Sequence, residues 1–243
     1  MATPLAKISA AALADRYRAV REQTLALIAD LRAEDTVIQT MPDVSPTKWH
    51  LAHVTWFFEH FVLRPNVRNY SVFDDQFHYL FNSYYYTAGD MHARSRRGLL
   101  SRPTLSEVLD YRSHVDTAMQ QLLQTDASDS KLAQLVTLGL NHEQQHQELL
   151  LTDIKHVFAN NPLRPRASKS LQPQTIANIA TYSFAAGPSG VHEVGATGDG
   201  FAFDNETPRH DCLLHPHRIG QRLVSNGEYR DFIRDGGYES ADL

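Results

Sequence analysis

The run Asn141-His142-Glu143-Gln144-Gln145-His146-Gln147-Glu148 lies inside a strongly helical stretch and sets two histidines four residues apart. Residues i and i+4 share one helix face, so both imidazoles can reach one metal ion. Leu135 and Leu138 precede the pair on that face, and Leu149 and Leu150 follow it. The spacing therefore predicts histidines that interrupt an apolar stripe. A buried polar group needs a partner, and a metal is a common one for paired histidines. Such pairs also occur on surfaces or hydrogen-bonded in cores. Three further facts favour a metal. The chain holds 13 histidines in 243 residues. A second group, His50, His53 and His60, sits on another aromatic helix. The single cysteine, Cys212, leaves nitrogen and oxygen as ligand types.

The first two thirds of the chain read as helices. Leu13, Tyr17, Val20, Thr24, Leu27 and Leu31 recur at spacings of four and three, the mark of an amphipathic helix. Ser45-Pro46 opens a second helix, with Ser45 expected as N-cap and Pro46 at the first helical position. That helix carries Trp49, His53, Trp56 and His60 on one face. Thr104-Leu105-Ser106-Glu107 is a capping box. Val108, Tyr111, Val115, Met119 and Leu122 repeat after it. A fourth helix, from about Ser130 to Phe158, holds His142 and His146. Four long helices imply a bundle, and bundles build metal sites from facing helices.

Between the second and third helices runs a long aromatic segment, Tyr70 to Arg102. It contains Tyr79, Phe81, Tyr84, Tyr85 and Tyr86, then Arg94, Arg96, Arg97 and Arg102. It reads either as a surface lid or as an anion-recognition loop, because arginine forks bind carboxylates bidentately. The polar, proline-containing segment 163–178 reads as a linker. From residue 179 the pattern turns strand-like, as in Thr181-Tyr182-Ser183-Phe184 and Gly200-Phe201-Ala202-Phe203. A stretch this short and loop-rich is a poor candidate for independent stability, so it is expected to be the start of a truncated second domain.

Hydrophobic residues make up 42% and charged residues 21%, ordinary values for a globular protein. A net charge of -5 argues against nucleic acid or an anionic membrane as partner. No run approaches the roughly 20 apolar residues of a membrane helix. No signal peptide is evident at Met1-Ala2-Thr3-Pro4, and one cysteine excludes an internal disulfide, so a reducing cytoplasm is the default expectation.

Three segments carry a family resemblance. Ser45-Pro46-Thr47-Lys48-Trp49-His50-Leu51-Ala52-His53-Val54-Thr55-Trp56-Phe57-Phe58-Glu59 resembles the first iron-binding helix of the sulfoxide synthases of ergothioneine biosynthesis (EgtB type). His142-Glu143-Gln144-Gln145-His146-Gln147-Glu148 resembles that family's H-x-x-x-H-x-E motif. Gly200 to His210, continued by Val224 to Tyr229, resembles the opening of its formylglycine-generating-enzyme-like domain. The resemblance implies a mainly α protein. A DinB-like four-helix bundle over residues 1–162 would be followed by an incomplete α+β, C-type-lectin-like domain over 179–243. It implies iron(II) held by His53, His142 and His146. It implies that a cysteine or γ-glutamylcysteine thiol is joined to C2 of the imidazole of Nα-trimethylhistidine, with dioxygen, giving a sulfoxide. Gln145 would help hold the histidine-derived substrate, and Arg94 and Arg97 would clamp the thiol substrate's carboxylate. The family's proton-donor tyrosine has no counterpart before Leu243, so impaired activity is expected of this chain.

Other readings stand beside it. A DinB-type thiol transferase or hydrolase using zinc or nickel would share the three histidines. An ovothiol-pathway synthase would share the architecture. His142-Glu143-Gln144-Gln145-His146 also fits the zinc-protease signature, with Glu143 as general base. His50 is expected to pack or to support a ligand, Glu148 to orient one, and Trp49 and Trp56 to be core.

Overall fold

The computed structural model describes residues 10–83, 89–125, 130–169, 180–198 and 200–242. Tyr84, Tyr85 and Tyr86, part of the aromatic segment, lie outside the described residues. The chain divides into two compact units between residues 172 and 173.

The first unit is a four-helix bundle of α1 (Ala10–Ile28), α2 (Thr47–Phe57), α4 (Leu105–Thr125) and α5 (Ser130–Asn160), with a short α3 (Phe77–Phe81) between α2 and α4. α1 and α2 each pack on both α4 and α5. The expected repeats supply the core: Leu13, Tyr17, Val20 and Thr24 of α1 and Val108, Tyr111, Val115, Met119 and Leu122 of α4 are buried. α1 stops at Ile28, yet Leu31 still packs against the core. Each fully buried large apolar side chain contributes roughly 1.5–3 kcal/mol, and together they outweigh local propensity. The box before α4 forms as read. Thr104 N donates to Glu107 Oε2 at 2.6 Å, and Glu107 N to Thr104 Oγ1 at 3.2 Å.

α2 is buried on every side. It begins at Thr47, one residue later than the sequence suggested, and Ser45 does not cap it. Pro46 takes the cap position, its carbonyl accepting from Trp49 N and His50 N. The Ser45 hydroxyl is occupied elsewhere, accepting from Arg97 Nη1 at 2.9 Å. α2 continues into a π-helical turn, Phe58–Leu63, and a last turn, Arg64–Asn66. Gly139 of α5 allows this packing. A Cβ there would lie 2.7 Å from the rings of Phe57 and Phe58. Glu59, at the start of the π turn, accepts from Tyr111 Oη (2.7 Å), Tyr70 Oη (2.9 Å) and Phe73 N (3.1 Å). It thereby ties the following segment to the bundle. That segment is not a plain loop, since it contains α3 and a 3-10 turn, Arg94–Leu99.

The buried stripe of α5 is Leu132, Val136, Gly139, Leu140, Glu143, Leu150, Ile154 and Val157. The histidines do not interrupt it. They flank it, half-buried beside α2, while Leu138 and Leu149 are 36% and 42% exposed. The expected stripe is rotated: the buried line of α5 packs on α1 and, at Gly139, on Phe57 and Phe58, and the histidines lie beside that line. Past α5, the expected linker starts with residues that fold back. Lys169 N donates to Asp30 Oδ2 at 2.8 Å, and Ala167 packs on Val44, Ile154, Val157 and Phe158.

The second unit pairs β1 (Phe184–Ala186) antiparallel with β4 (Arg218–Gly220), and β2 (Gly190–Val194) antiparallel with β3 (His210–Leu214). α6 (Asn226–Arg234) follows, its N-terminus closed by a Ser225–Glu228 capping box. Arg222 grips the same Glu228 carboxylate with both guanidinium nitrogens, at 2.6 and 2.8 Å. Phe201-Ala202-Phe203 forms no strand and leads into a 3-10 turn, Asp204–Glu206. Of the other expected strand, Phe184 alone joins β1. Among the described residues, no helix is long and apolar enough to cross a membrane.

Candidate metal centre

The bundle brings His53 of α2 together with His142 and His146 of α5. One ring nitrogen from each lies within 4.8 Å of the others. The i, i+4 spacing on α5 presents two imidazoles to one side, and the buried α2 presents the third from across the interface. The Nε2 atoms of His53 and His142 are 3.3 Å apart. Two imidazole nitrogens this close require a proton or a metal cation between their lone pairs.

The far side of each ring is held differently. His53 Nδ1 lies 2.6 Å from the Phe81 carbonyl oxygen. A carbonyl only accepts, so Nδ1 carries the proton and Nε2 offers a lone pair to the centre. His146 Nδ1 lies 2.8 Å from His50 Nδ1, and His50 Nε2 lies 2.9 Å from Asp153 Oδ2. His142 Nδ1 is buried with no hydrogen-bond partner among the described residues.

All three candidate ligands are held neutral, the form that binds metals. Burial pushes His53 well below its ordinary value, and His142 adds to the shift. Burial takes His142 down to about 4. Burial, with His53 and His50 adding to it, also pushes His146 well below its ordinary value. Three converging neutral nitrogen donors suit a first-row divalent metal. The residues present therefore fit the implied group.

Aromatic rings wall the centre. Trp49 stacks on His53 at 4.6 Å and 12°, and Trp56 stacks on its other side at 5.8 Å and 19°. Both are buried, as expected of core residues. His60, half-buried, continues the stack between Trp56 (5.2 Å) and His78 (4.6 Å). Arg97 is buried with its guanidinium 3.3 Å from the Trp49 ring centroid. Its nitrogens donate to Ser45 Oγ (2.9 Å) and Ser83 Oγ (2.8 Å). Arg94, one 3-10 turn away, is exposed and donates to the Asp43 carbonyl. Gln145 is exposed on α5, next in sequence to His146. The structure thus gathers the three histidines, sets Arg97 behind Trp49, and leaves Arg94 and Gln145 on accessible surface.

One expectation and one rival reading fail here. Glu148 is exposed and does not orient a ligand, because position 148 points away from the face of His142 and His146. Glu143 cannot be a protease base. It is fully buried, accepting from Arg112 Nη2, Arg21 Nη1 (2.9 Å) and Thr24 Oγ1 (2.6 Å). Burial works to raise its carboxyl, but Arg112 and Arg21 outweigh it and hold the group at about 2. Sequence reading also missed Asp153. Its position, seven residues after His146 and so on the same face two turns on, was the available signal.

Residues 16–150 match the DinB superfamily. The chain is similar to three curated proteins named hercynine oxygenase. The protein of Mycolicibacterium smegmatis is 28% identical over 228 residues, covering 93% of this chain and 51% of the relative. That of Mycolicibacterium thermoresistibile is 28% identical over 231 residues, covering 94% and 49%. That of Mycobacterium tuberculosis is 28% identical over 238 residues, covering 93% and 51%. These bear out the resemblance to the EgtB type, and the chain spans about half the length of these relatives. With a superfamily match over more than half of its own length, carrying all three histidine-bearing turns on α2 and α5, the chain belongs to the DinB superfamily.

Proposed function

We propose that this chain binds iron(II) through His53, His142 and His146 and serves the sulfoxide synthase reaction of ergothioneine biosynthesis. The observation that carries this reading is the convergence of three neutral imidazoles from two facing helices. The similarity to hercynine oxygenases supplies the substrate class. A cysteine or γ-glutamylcysteine thiol and the C2–H of Nα-trimethylhistidine would combine with dioxygen. One oxygen atom stays on sulfur, and the other leaves as water with the two displaced hydrogens. Iron(II) at this site supplies electrons for dioxygen and lowers the pKa of a nearby thiol.

The chain's own residues do the rest. The Phe81 carbonyl keeps His53 turned with Nε2 inward. Trp49 and Trp56 clamp that ring and exclude water from one side of the centre. Arg97, already oriented by two hydroxyls, and the accessible Arg94 would attract the thiol substrate's carboxylate. Gln145 would contact the histidine-derived substrate from α5.

The test is anaerobic iron(II) binding followed by nitric oxide titration of the chain and of His53→Ala, His142→Ala and His146→Ala. One iron per chain, an iron–nitrosyl signal, and loss of both in each variant are expected. Uptake indifferent to His53 would overturn the site. Tight zinc binding with no nitrosyl-forming iron would favour a thiol transferase instead.

A further inference from the structure

We propose that His50 and Asp153 form a positioning relay that holds the proton of His146 on Nδ1 and keeps its Nε2 lone pair turned to the metal position. This rests on the three-histidine reading above.

The argument runs through donors and acceptors. Asp153 Oδ2 receives the Ser45 amide N–H at 2.8 Å, and an amide nitrogen only donates. The same oxygen lies 2.9 Å from His50 Nε2 and accepts there too, so the His50 proton sits on Nε2. The two facing Nδ1 atoms of His50 and His146 hold one proton between them, and placing it on His50 would make that ring a cation beside the metal position. A neutral imidazole with a proton on one nitrogen has a lone pair on the other. His50 Nδ1 is therefore an acceptor, and its partner at 2.8 Å, His146 Nδ1, must be the donor. The remaining nitrogen of His146 is then free of its proton.

The bundle needs this intermediary. Asp153 lies on the same helix as His146 but two turns away, beyond direct reach of its ring. His50, three residues before His53 on α2, spans the gap and is itself 3% exposed. His53 has a backbone carbonyl in the equivalent role, and His142 has no such partner among the described residues. Without a partner at Nδ1, nothing fixes which nitrogen of His146 carries the proton. The relay also joins α2 to α5 across the metal centre, so one carboxylate sets the ring seen by a ligand on the facing helix.

His50→Leu and His50→Gln separate this role from packing. Leucine fills the space but offers no polar atom. Glutamine can accept from His146 with Oε1 and donate to Asp153 with Nε2, reproducing both contacts. The first readout is the tautomer of each histidine in the metal-free chain, from long-range ¹H–¹⁵N correlation spectra. The second is zinc(II) affinity by competition with a chelator. Expected are a His146 proton on Nδ1 in the wild type and in His50→Gln, and a mixture in His50→Leu and Asp153→Ala. The His53 tautomer should be unchanged in all of them. Zinc affinity should fall about 10–100-fold in His50→Leu and Asp153→Ala and stay within a few-fold in His50→Gln. A His146 proton still on Nδ1 in His50→Leu, with wild-type zinc affinity, would overturn the relay. Wild-type zinc uptake that survives His53→Ala would instead overturn the three-histidine site, while the metal-free spectra still judge the relay.

Discussion

Glu143 shows how one side chain can sit beside a motif and take no part in its chemistry. It lies next to His142 but on the neighbouring face of α5, turned into two arginines. Arg21 is also held by Asp116 at 2.6 Å, and Arg112 donates to the Arg21 carbonyl. Removing the negative charge leaves the buried Arg112 without the carboxylate it contacts. Glu143→Gln should therefore lose about 3–5 kcal/mol of stability, read from urea unfolding followed by helical circular dichroism. The pH dependence follows from the same group. Its folded value, about 2, lies below that of an unfolded glutamate. Its contribution is present above the unfolded value and is lost as pH falls through about 2. Unfolding free energy should accordingly decline steadily below pH ~4.5, where a free glutamate starts to take up its proton. A flat profile down to pH ~2 would contradict the assignment.

The four long helices were legible along the chain, the short ones were not, and helix faces were less so than helix existence. α4 buries the residues its periodicity named and α1 most of them, Leu27 being only partly buried and Leu31 lying past its end, because each has one apolar face and one polar face. α5 misled, because histidines, leucines and a buried glutamate occupy two adjacent faces, and periodicity alone does not say which face meets which neighbour. α2 is buried all round, so its sequence carries little facial signal. Its π turn is set by packing against α5 at Gly139. Gly139→Ala improves helix propensity by about 1 kcal/mol. The added Cβ meets two aromatic rings, and such overpacking costs about 1–3 kcal/mol. A net loss of stability is expected, measured as a lower urea midpoint, and Gly139→Val should lose more. A gain in midpoint for the alanine variant would mean that the rings of Phe57 and Phe58 shift at little cost.

Across the whole molecule, the candidate metal centre lies wholly inside the first unit, on helices that are distant in sequence. Metal binding is then linked to the stability of the bundle. A divalent ion at 100 times its dissociation constant should add about 2.7 kcal/mol, seen as a rise in melting temperature. A chelator should reverse that rise, and His53→Ala should abolish it. The histidine pair on α5, the aromatic histidine helix and the capped amphipathic repeats are short-range patterns. The sequence by itself therefore determined a helical bundle with His142 and His146 as a candidate pair and His50, His53 and His60 on a second helix, and the family resemblance singled out His53 as the third candidate ligand. It did not determine the setting of those ligands. The Phe81 carbonyl behind His53, the His50–Asp153 pair behind His146, Arg97 stacked on Trp49 and the arginines around Glu143 come from segments 28 to 122 residues apart. Such contacts exist only once the packing of α2 against α5 has set which faces meet. Local spacing encodes a helix face, whereas the partner of that face is set by burial of the entire core.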